Sequence, residues 1–427
     1  MQPIEFSSER LRERYMLIQH PSGLTVYVFP KQLTGTYALL ATDFGSVDTV
    51  CRTEDGKTVS FPDGMAHFLE HKLFENEDGS DSFARFSALG ADANAYTTYN
   101  KTAYLFSASE HFEESLEELI RFVTHPHFTE KSVQKEIGII SEEIRMTEDS
   151  PWERGFQLLL GAMYQFHPVR NNICGTQESI RRITAAALYD CYRIFYDPSR
   201  MTLVVCGDVD VDSVMSTVDR IFPKKKNGIA VSREMPIEPG TVYLPRSEAR
   251  MQVSKPIFFM GFKDPFFPKD PKERIRRDAA MALLNEILFS RSGKFYNELF
   301  ESGLINPSFS CGYSISESFA FNCISGESET PEVVFDKVWE AVERFQKEGI
   351  SDEDLERCRR VLYADEVRAY DSTEEIANRL LAFAMDGAEL FSYPTLIEQI
   401  TKDELMELLC TLYQREYLSV SVIDPLE

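Results

Sequence analysis

His67-Phe68-Leu69-Glu70-His71 is the most informative stretch of this chain, an H-x-x-E-H pattern. Residues three and four apart on an α-helix share one face, so His67 and His71 can reach a single metal ion with Glu70 beside them. Two imidazoles and a carboxylate that can act as a general base on water are typical of a hydrolytic zinc site. The pattern therefore predicts a metal-bearing helix over about residues 64–74.

A second helix, predicted over residues 136–144, offers the third ligand that such a site needs. Glu136, Ile140 and Glu143 fall at positions i, i+4 and i+7 and form one stripe along this helix. Two carboxylates in such a stripe are unusual for a core face and favour a metal face. We expect Glu143 to be the third ligand and Glu136 to orient an imidazole or the water. The alternative for Glu136 is an exposed helical carboxylate.

The remaining pattern predicts two related halves, each with strands before and after a set of helices. The expected elements of the first half are strands at 23–29 and 37–44, the helix at 64–74, a hairpin at 96–107, several helices between 111 and 197, and a strand at 201–208. Those of the second half are a strand at 257–262, a helix at 279–289, a hairpin at 309–326, further helices and a strand at 418–423.

The helix in the second half, Met281 to Phe289, echoes Met65 to Phe74 but lacks both histidines. This similarity suggests a duplication in which only the first copy kept its chemistry. We predict an α+β fold with two homologous domains, each an antiparallel sheet covered by helices. The predicted boundaries are a zinc-bearing catalytic domain at 1–225, a linker at 226–245 and a homologous non-catalytic domain at 246–427.

Composition limits the possible partners and the location. The chain has 45 Lys and Arg against 69 Asp and Glu, a formal net charge of −24. Such an acidic protein is not expected to bind nucleic acid or anionic lipid surfaces. No apolar run is long enough for a membrane span, and the first residues do not resemble a signal peptide. The eight cysteines form no C-x-x-C pair, which favours reduced thiols and a cytoplasmic protein.

The motif is followed, after 71 intervening residues, by the second glutamate of an E-x6-E pair. This arrangement resembles the insulinase/pitrilysin family of inverzincin metallopeptidases. The resemblance implies that the two domains form one half-shell, and that Zn2+ is bound by His67, His71 and Glu143. It also implies that Glu70 is the catalytic base and Glu136 a supporting catalytic carboxylate.

Asn94-Ala95-Tyr96-Thr97 is similar to the edge strand that follows a glycine-rich approach in this family. The resemblance implies that Asn94, Ala95 and Tyr96 bind the backbone of an extended peptide substrate. The alternative is that Asn94 and Ala95 only begin a hairpin. Family membership further implies a zinc-dependent endopeptidase that cleaves unstructured peptides.

One departure from the family concerns an R-x6-Y pair that active members usually carry in the other half-shell. Here Leu299 and Asn306 stand at the corresponding positions. We therefore expect a second insulinase-like chain to complete the enzyme, most simply as a heterodimer. The alternatives are a self-sufficient homodimeric peptidase and a non-catalytic structural or processing-complex subunit.

Overall fold

The computed structural model describes residues 3–222 and 229–426, which form two compact units. Unit 1 consists of Met1–Ile144, Asn172–Glu234 and Val367–Phe391, and unit 2 of Arg145–Asn171, Met235–Glu366 and Ser392–Glu427. The units therefore exchange two segments, whereas the predicted domains are continuous. The division at 1–225 and 246–427 stays a prediction about related halves of the sequence.

The predicted linker at 226–245 is only partly described. Residues 226–228 lie outside the described residues, and Val231–Arg233 is a short strand. This strand pairs antiparallel with Val50–Thr53 in unit 1. The segment is thus not a simple connection, since part of it belongs to a small sheet.

The strands of unit 1 are β1 (Ile4–Ser8), β2 (Glu13–Gln19), β3 (Thr25–Pro30), β4 (Thr36–Thr42), β5 (Val50–Thr53), β6 (Thr58–Ser60), β7 (Asp92–Thr97), β8 (Thr102–Ala108), β9 (Met201–Gly207) and β10 (Val231–Arg233). Those of unit 2 are β11 (Arg246–Met251), β12 (Ile257–Lys263), β13 (Ser310–Ile315), β14 (Ala320–Glu327) and β15 (Leu418–Pro425).

The α-helices, in chain order, are α1 (Met65–Leu73), α2 (Ser82–Ala88), α3 (Phe112–Thr124), α4 (Glu130–Asp149), α5 (Pro151–Met163), α6 (Gln177–Ile180), α7 (Ala185–Phe195), α8 (Val211–Ile221), α9 (Pro271–Phe289), α10 (Lys294–Glu301), α11 (Pro331–Glu348), α12 (Asp352–Ala369), α13 (Thr373–Met385), α14 (Tyr393–Gln399) and α15 (Lys402–Leu412).

The main sheet of unit 1 has the order β1-β2-β3-β9-β4-β8-β7. All neighbouring pairs are antiparallel except β3 and β9, which are parallel. Every residue of β4 is buried, because both faces of the sheet are covered. One face packs in a core with α1, α3 and α7, and the other packs against α13.

The sheet of unit 2 has the order β11-β15-β12-β14-β13, with a parallel pair between β11 and β15. This repeats the order and strand directions of β3-β9-β4-β8-β7. One face packs against α9, α11 and α15. The other face is covered by α5. Gly155 permits the close approach of α5, because a Cβ there would lie 2.5 Å from the ring of Phe259.

The predicted α+β class is confirmed, with one correction to the sheets. Each main sheet includes one parallel pair and is not purely antiparallel, because its last strand returns after several helices instead of through a hairpin. The helix predicted at 279–289 begins earlier, at Pro271, where the Asp270 side chain accepts hydrogen bonds from the first turn. Across residues 3–222 and 229–426, no helix has the length and apolar character of a membrane span.

Candidate metal centre

The start of α1 is locked to a loop that lies far along the chain. Gly64 precedes α1 with φ of 86°, and a Cβ there would lie 2.4 Å from the carbonyl oxygen of Cys174. Gly175 has φ of 79°, and its Cβ would lie 2.5 Å from the carbonyl oxygen of Asp63. The hydroxyl of Ser179 donates to the same Asp63 oxygen at 2.8 Å. Only glycine fits at positions 64 and 175, because both have positive φ and a Cβ at either would clash with the backbone of the other segment. This close contact of the two segments positions Cys174 beside α1.

The helix α1 buries polar groups together with apolar ones. Phe68 and Leu69 are fully buried, and His67 and Glu70 are each only 8% exposed. Burial of imidazole and carboxylate groups is unfavourable unless they find polar or metal partners. The partners of these side chains therefore indicate what this helix is for.

Both histidines face one carboxylate on α4. His67 Nε2 lies 3.3 Å from Oε1 of Glu143, and His71 Nε2 lies 3.5 Å from Oε2 of the same residue. The hydrogen bond from His67 lowers the pKa of Glu143, so this carboxylate is ionised at neutral pH. The structure thus brings together the three residues that were predicted as ligands.

Glu136 lies behind His71. Its Oε1 is 3.1 Å from His71 Nδ1, and its side chain is only 12% exposed. A proton on Nδ1 donated to Glu136 would leave the Nε2 lone pair directed at Glu143. Burial lowers the pKa of His71, but the hydrogen bond to Glu136 and the neighbouring carboxylates outweigh it and raise the pKa. The alternative of an exposed helical carboxylate is wrong for Glu136.

Glu70 is held by a hydroxyl from the neighbouring strand. Thr97 Oγ1, at the end of β7, donates to Oε2 of Glu70 at 2.5 Å. Burial raises the pKa of Glu70, against the opposing effects of the histidines and Thr97. Thr97 was not predicted as a site residue, because nothing in a strand pattern shows which residue contacts a helical residue 27 positions earlier.

The predicted substrate strand, β7, lies at the edge of the unit 1 sheet. Asn94 is exposed, and its Oδ1 accepts from the amide of Ala95 at 2.9 Å. Tyr96 donates its hydroxyl to Oδ1 of Asn378 at 3.0 Å, and burial raises its pKa to about 12. β7 and β8 do form a hairpin, as the alternative states, so the binding role of these three residues stays a prediction.

Cys174 is a site residue that the sequence interpretation missed. Its sulfur, a Glu143 oxygen and a His67 nitrogen all lie within 4.8 Å of one another. His71 is not in this mutually close group, although it reaches the other oxygen of Glu143. The only available signal was its place before Gly175 in a loop, which by itself does not indicate a ligand.

The separations between Glu143 and each of the two imidazoles match those expected for zinc ligands. For zinc bonds of about 2.0–2.1 Å to nitrogen and oxygen, two ligand atoms stand about 3.3 Å apart. The observed nitrogen–oxygen separations are 3.3 Å and 3.5 Å. Glu143 could therefore share a zinc ion with His67, and likewise with His71, at separations close to those of zinc ligands.

Two family models match the chain. The model described as insulinase (peptidase family M16) matches residues 60–177, which include all the site residues above. The model described as peptidase M16 inactive domain matches residues 182–362. Among curated proteins, the uncharacterized zinc protease YmfH of Bacillus subtilis is 38% identical over 431 residues, covering 100% of this chain and 99% of YmfH.

Solved structures are also similar to this chain. A structure described as an M16-like peptidase from Alicyclobacillus acidocaldarius has a TM-score of 0.94 and 32% identity, covering 99% of this chain and 100% of that chain. The periplasmic protease PqqL of Escherichia coli has a TM-score of 0.72 at 17% identity, a likeness of fold alone, covering 96% of this chain but 47% of PqqL. With a full-length relative at 38% identity, the chain belongs to the insulinase/pitrilysin family, peptidase family M16.

Proposed function

We propose that this chain is the catalytic subunit of a zinc-dependent endopeptidase that cleaves unstructured peptides. The observation that carries the proposal is the position of Glu70, a buried carboxylate beside two histidines that share Glu143. A non-catalytic subunit has no use for such a group, because its burial is unfavourable and it is not needed to bind the metal. The names of zinc proteases among the relatives support the same reading.

His67, His71 and Glu143 would hold the zinc. Zinc, when bound, supplies Lewis acidity that polarises a carbonyl and makes water a stronger nucleophile at neutral pH. Glu70 takes a proton from the attacking water and returns it to the leaving amine. The Thr97 hydroxyl keeps the Glu70 carboxylate in place, and Glu136 fixes the orientation of His71.

The substrate would pair with β7. This strand ends the sheet order, so the backbone groups of Asn94, Ala95 and Tyr96 are the natural place for an extended peptide to add as a further strand. Thr97 follows directly and contacts Glu70, so a peptide on this edge would lead to the proposed base. Main-chain pairing of this kind selects extended, unfolded segments over folded proteins.

A second insulinase-like chain would complete the enzyme. Leu299, at the position of the family arginine, is only 3% exposed in the core of unit 2. Asn306, at the position of the tyrosine, donates to Oε2 of Glu327 at 2.7 Å. Neither can help to bind the transition-state oxygen, and a second copy would bring the same residues. We therefore favour a heterodimer over a homodimer.

The test is co-purification from the native host, identification of the companion chain, and measurement of zinc and peptide cleavage with and without it. We expect about one zinc per chain and cleavage of an unstructured peptide only with the companion. Full zinc without cleavage in any pairing would favour the non-catalytic alternative. Cleavage by the isolated chain would favour the homodimer. The cytoplasmic location stays a prediction, based on the absence of a C-x-x-C pair among the eight cysteines.

A further inference from the structure

The Cys174 thiol is placed to take part in the metal centre itself. The side chain is buried, at 7% exposure. Its Sγ lies 3.9 Å from His67 Nε2 and 3.8 Å from Oε1 of Glu143. The sulfur thus lies near the same two atoms that would bind the metal.

The distances from the Cys174 sulfur to His67 and Glu143 are close to those expected when all three side chains bind one metal ion. With a zinc–sulfur bond of about 2.3 Å and a zinc–nitrogen or zinc–oxygen bond of about 2.0–2.1 Å, tetrahedral geometry puts sulfur about 3.6 Å from the other donors. The two observed sulfur separations exceed this value by only a few tenths of an ångström. One ion can therefore contact His67, Glu143 and Cys174 without a change in the backbone.

The backbone holds the sulfur in this position. The amide of Cys174 donates to Oδ1 of Asn172 at 2.9 Å, which closes the turn before it. The glycine contacts at Gly64 and Gly175, together with the Ser179 hydrogen bond, fasten the same loop to the start of α1. The close contact between the start of α1 and the loop of Gly175 thus places Cys174 near His67.

We propose that the Cys174 thiolate is an additional ligand of the metal at this centre, where it occupies the coordination position that water needs for hydrolysis. The proposal rests on the proposed zinc site. His67, Glu143 and Cys174 are the mutually close donors. If the His71 side chain moves to the same ion, the four side chains would form a closed set of protein donors, which is the arrangement of structural and not of catalytic zinc. The enzyme would then be latent until the thiolate leaves the metal.

The exchange is balanced by protons from solvent. On metal binding, the S–H bond of Cys174 would be replaced by a sulfur–metal bond, and the proton would pass to solvent. Release of the thiolate would break the sulfur–metal bond, return a proton to Cys174 from solvent and leave the position open to water or a substrate carbonyl. No oxidant or reductant is required.

The test uses Co2+ added to the metal-free full-length chain. Tetrahedral Co2+ gives visible bands, and a bound thiolate adds a charge-transfer band in the near ultraviolet. We expect both in the wild type, and loss of only the near-ultraviolet band in Cys174→Ala and Cys174→Ser. Cys51→Ala, which removes another buried thiol of unit 1, should keep both bands. Zinc affinity should fall roughly tenfold or more in the Cys174 variants and should stay unchanged in Cys51→Ala.

The outcomes separate this proposal from the proposed function. Visible bands without the near-ultraviolet band in the wild type would overturn the role of Cys174 and leave the zinc peptidase intact. No Co2+ or zinc binding at all would overturn both. With the companion chain present, turnover should rise severalfold in Cys174→Ser; an unchanged or lower turnover would overturn the latency. Circular dichroism and thermal unfolding check that both Cys174 variants are folded.

Discussion

Helices α1 and α9 occupy the same place in two sheets of the same topology, but they bury different residues. Each comes before the edge strand of its sheet, β7 in unit 1 and β13 in unit 2. α1 buries His67 and Glu70, whereas α9 buries Leu283, Leu284 and Ile287. The one buried amide in α9, Asn285, is satisfied by Asn322 and Tyr413.

The buried residues of the two helices contribute differently to the stability of their units. The apolar face of α9 stabilises unit 2, because each fully buried aliphatic side chain contributes about 1.5–3 kcal/mol. The buried ionisable groups of α1 give no such gain and are unfavourable without partners. The same helix position therefore serves stability in unit 2 and a candidate metal site in unit 1.

The largest effect is expected for Glu70→Gln. Loss of the base should lower peptide turnover by about 10²–10⁴-fold, while zinc content stays unchanged because Glu70 is not a ligand. Turnover with the companion chain and metal analysis measure both quantities. The control is Glu286→Gln on α9, which should keep full turnover. A Glu70→Gln variant with normal turnover would refute the assignment of the base.

On α9, Ile287→Ala should act on stability instead. Removal of a buried aliphatic side chain should lower the free energy of unfolding by about 2–5 kcal/mol. Zinc content should not change, because no proposed ligand lies on α9. His71→Ala is the counterpart on α1, and it should lose metal. Chemical denaturation of the metal-free proteins measures the free energy of unfolding, and metal analysis measures the zinc content. Equal loss of metal in Ile287→Ala and His71→Ala would contradict the difference between the two helices.

The two helices also begin differently, which gives a third prediction. α9 is capped by the Asp270 side chain, whereas α1 follows Gly64 without a side-chain cap. Gly64→Ala introduces a Cβ 2.4 Å from the Cys174 carbonyl oxygen and should destabilise the protein. Gly90→Ala is the matched control, since Gly90 also has positive φ (70°) but open space around its Cβ.

The difference between these two variants isolates the backbone contact from the strain of positive φ. We expect Gly64→Ala to be less stable than Gly90→Ala by about 1–3 kcal/mol in thermal or chemical unfolding. Its zinc affinity should also fall, because the start of α1 must move. Equal stability of the two variants would mean that the crossing at Cys174 is not rigid.

The smallest effect is expected for Glu136→Gln. This change keeps the size of the side chain but removes the charge that supports His71, so zinc affinity should fall about 10–100-fold. Competition with a chelator measures the affinity. Glu142→Gln, a neighbouring exposed carboxylate on α4, is the control and should keep the wild-type affinity. No difference between the two variants would leave Glu136 without a role in the site.

The central part of the site could be predicted from sequence because helical periodicity encodes it. His67, Glu70 and His71 lie on one turn of helix, and Glu136 and Glu143 lie on two turns of another. Thr97 and Cys174 could not be predicted in this way. Both belong to contacts between distant segments, one a strand end and one a loop, and no local periodicity connects them to α1.

The sheets were predictable from short runs of β-branched and aromatic residues, but their helical cover was not. An amphipathic pattern shows that α5 and α13 each bury one face, yet it does not show which sheet receives that face. α5 covers the sheet of unit 2 and α13 that of unit 1. The three residues of β10 are too few to give a strand signal, so the segment was predicted as linker.

The exchange of α5 and α13 has a consequence for biosynthesis. The face of the unit 1 sheet that carries Tyr15, Phe29 and Tyr37 is covered by residues up to Phe391, so it stays uncovered until most of the chain has left the ribosome. Cutting the gene between its two halves would give fragments that each lack a helix needed to close a core. A chain that arose by joining two copies would in this way have become indivisible.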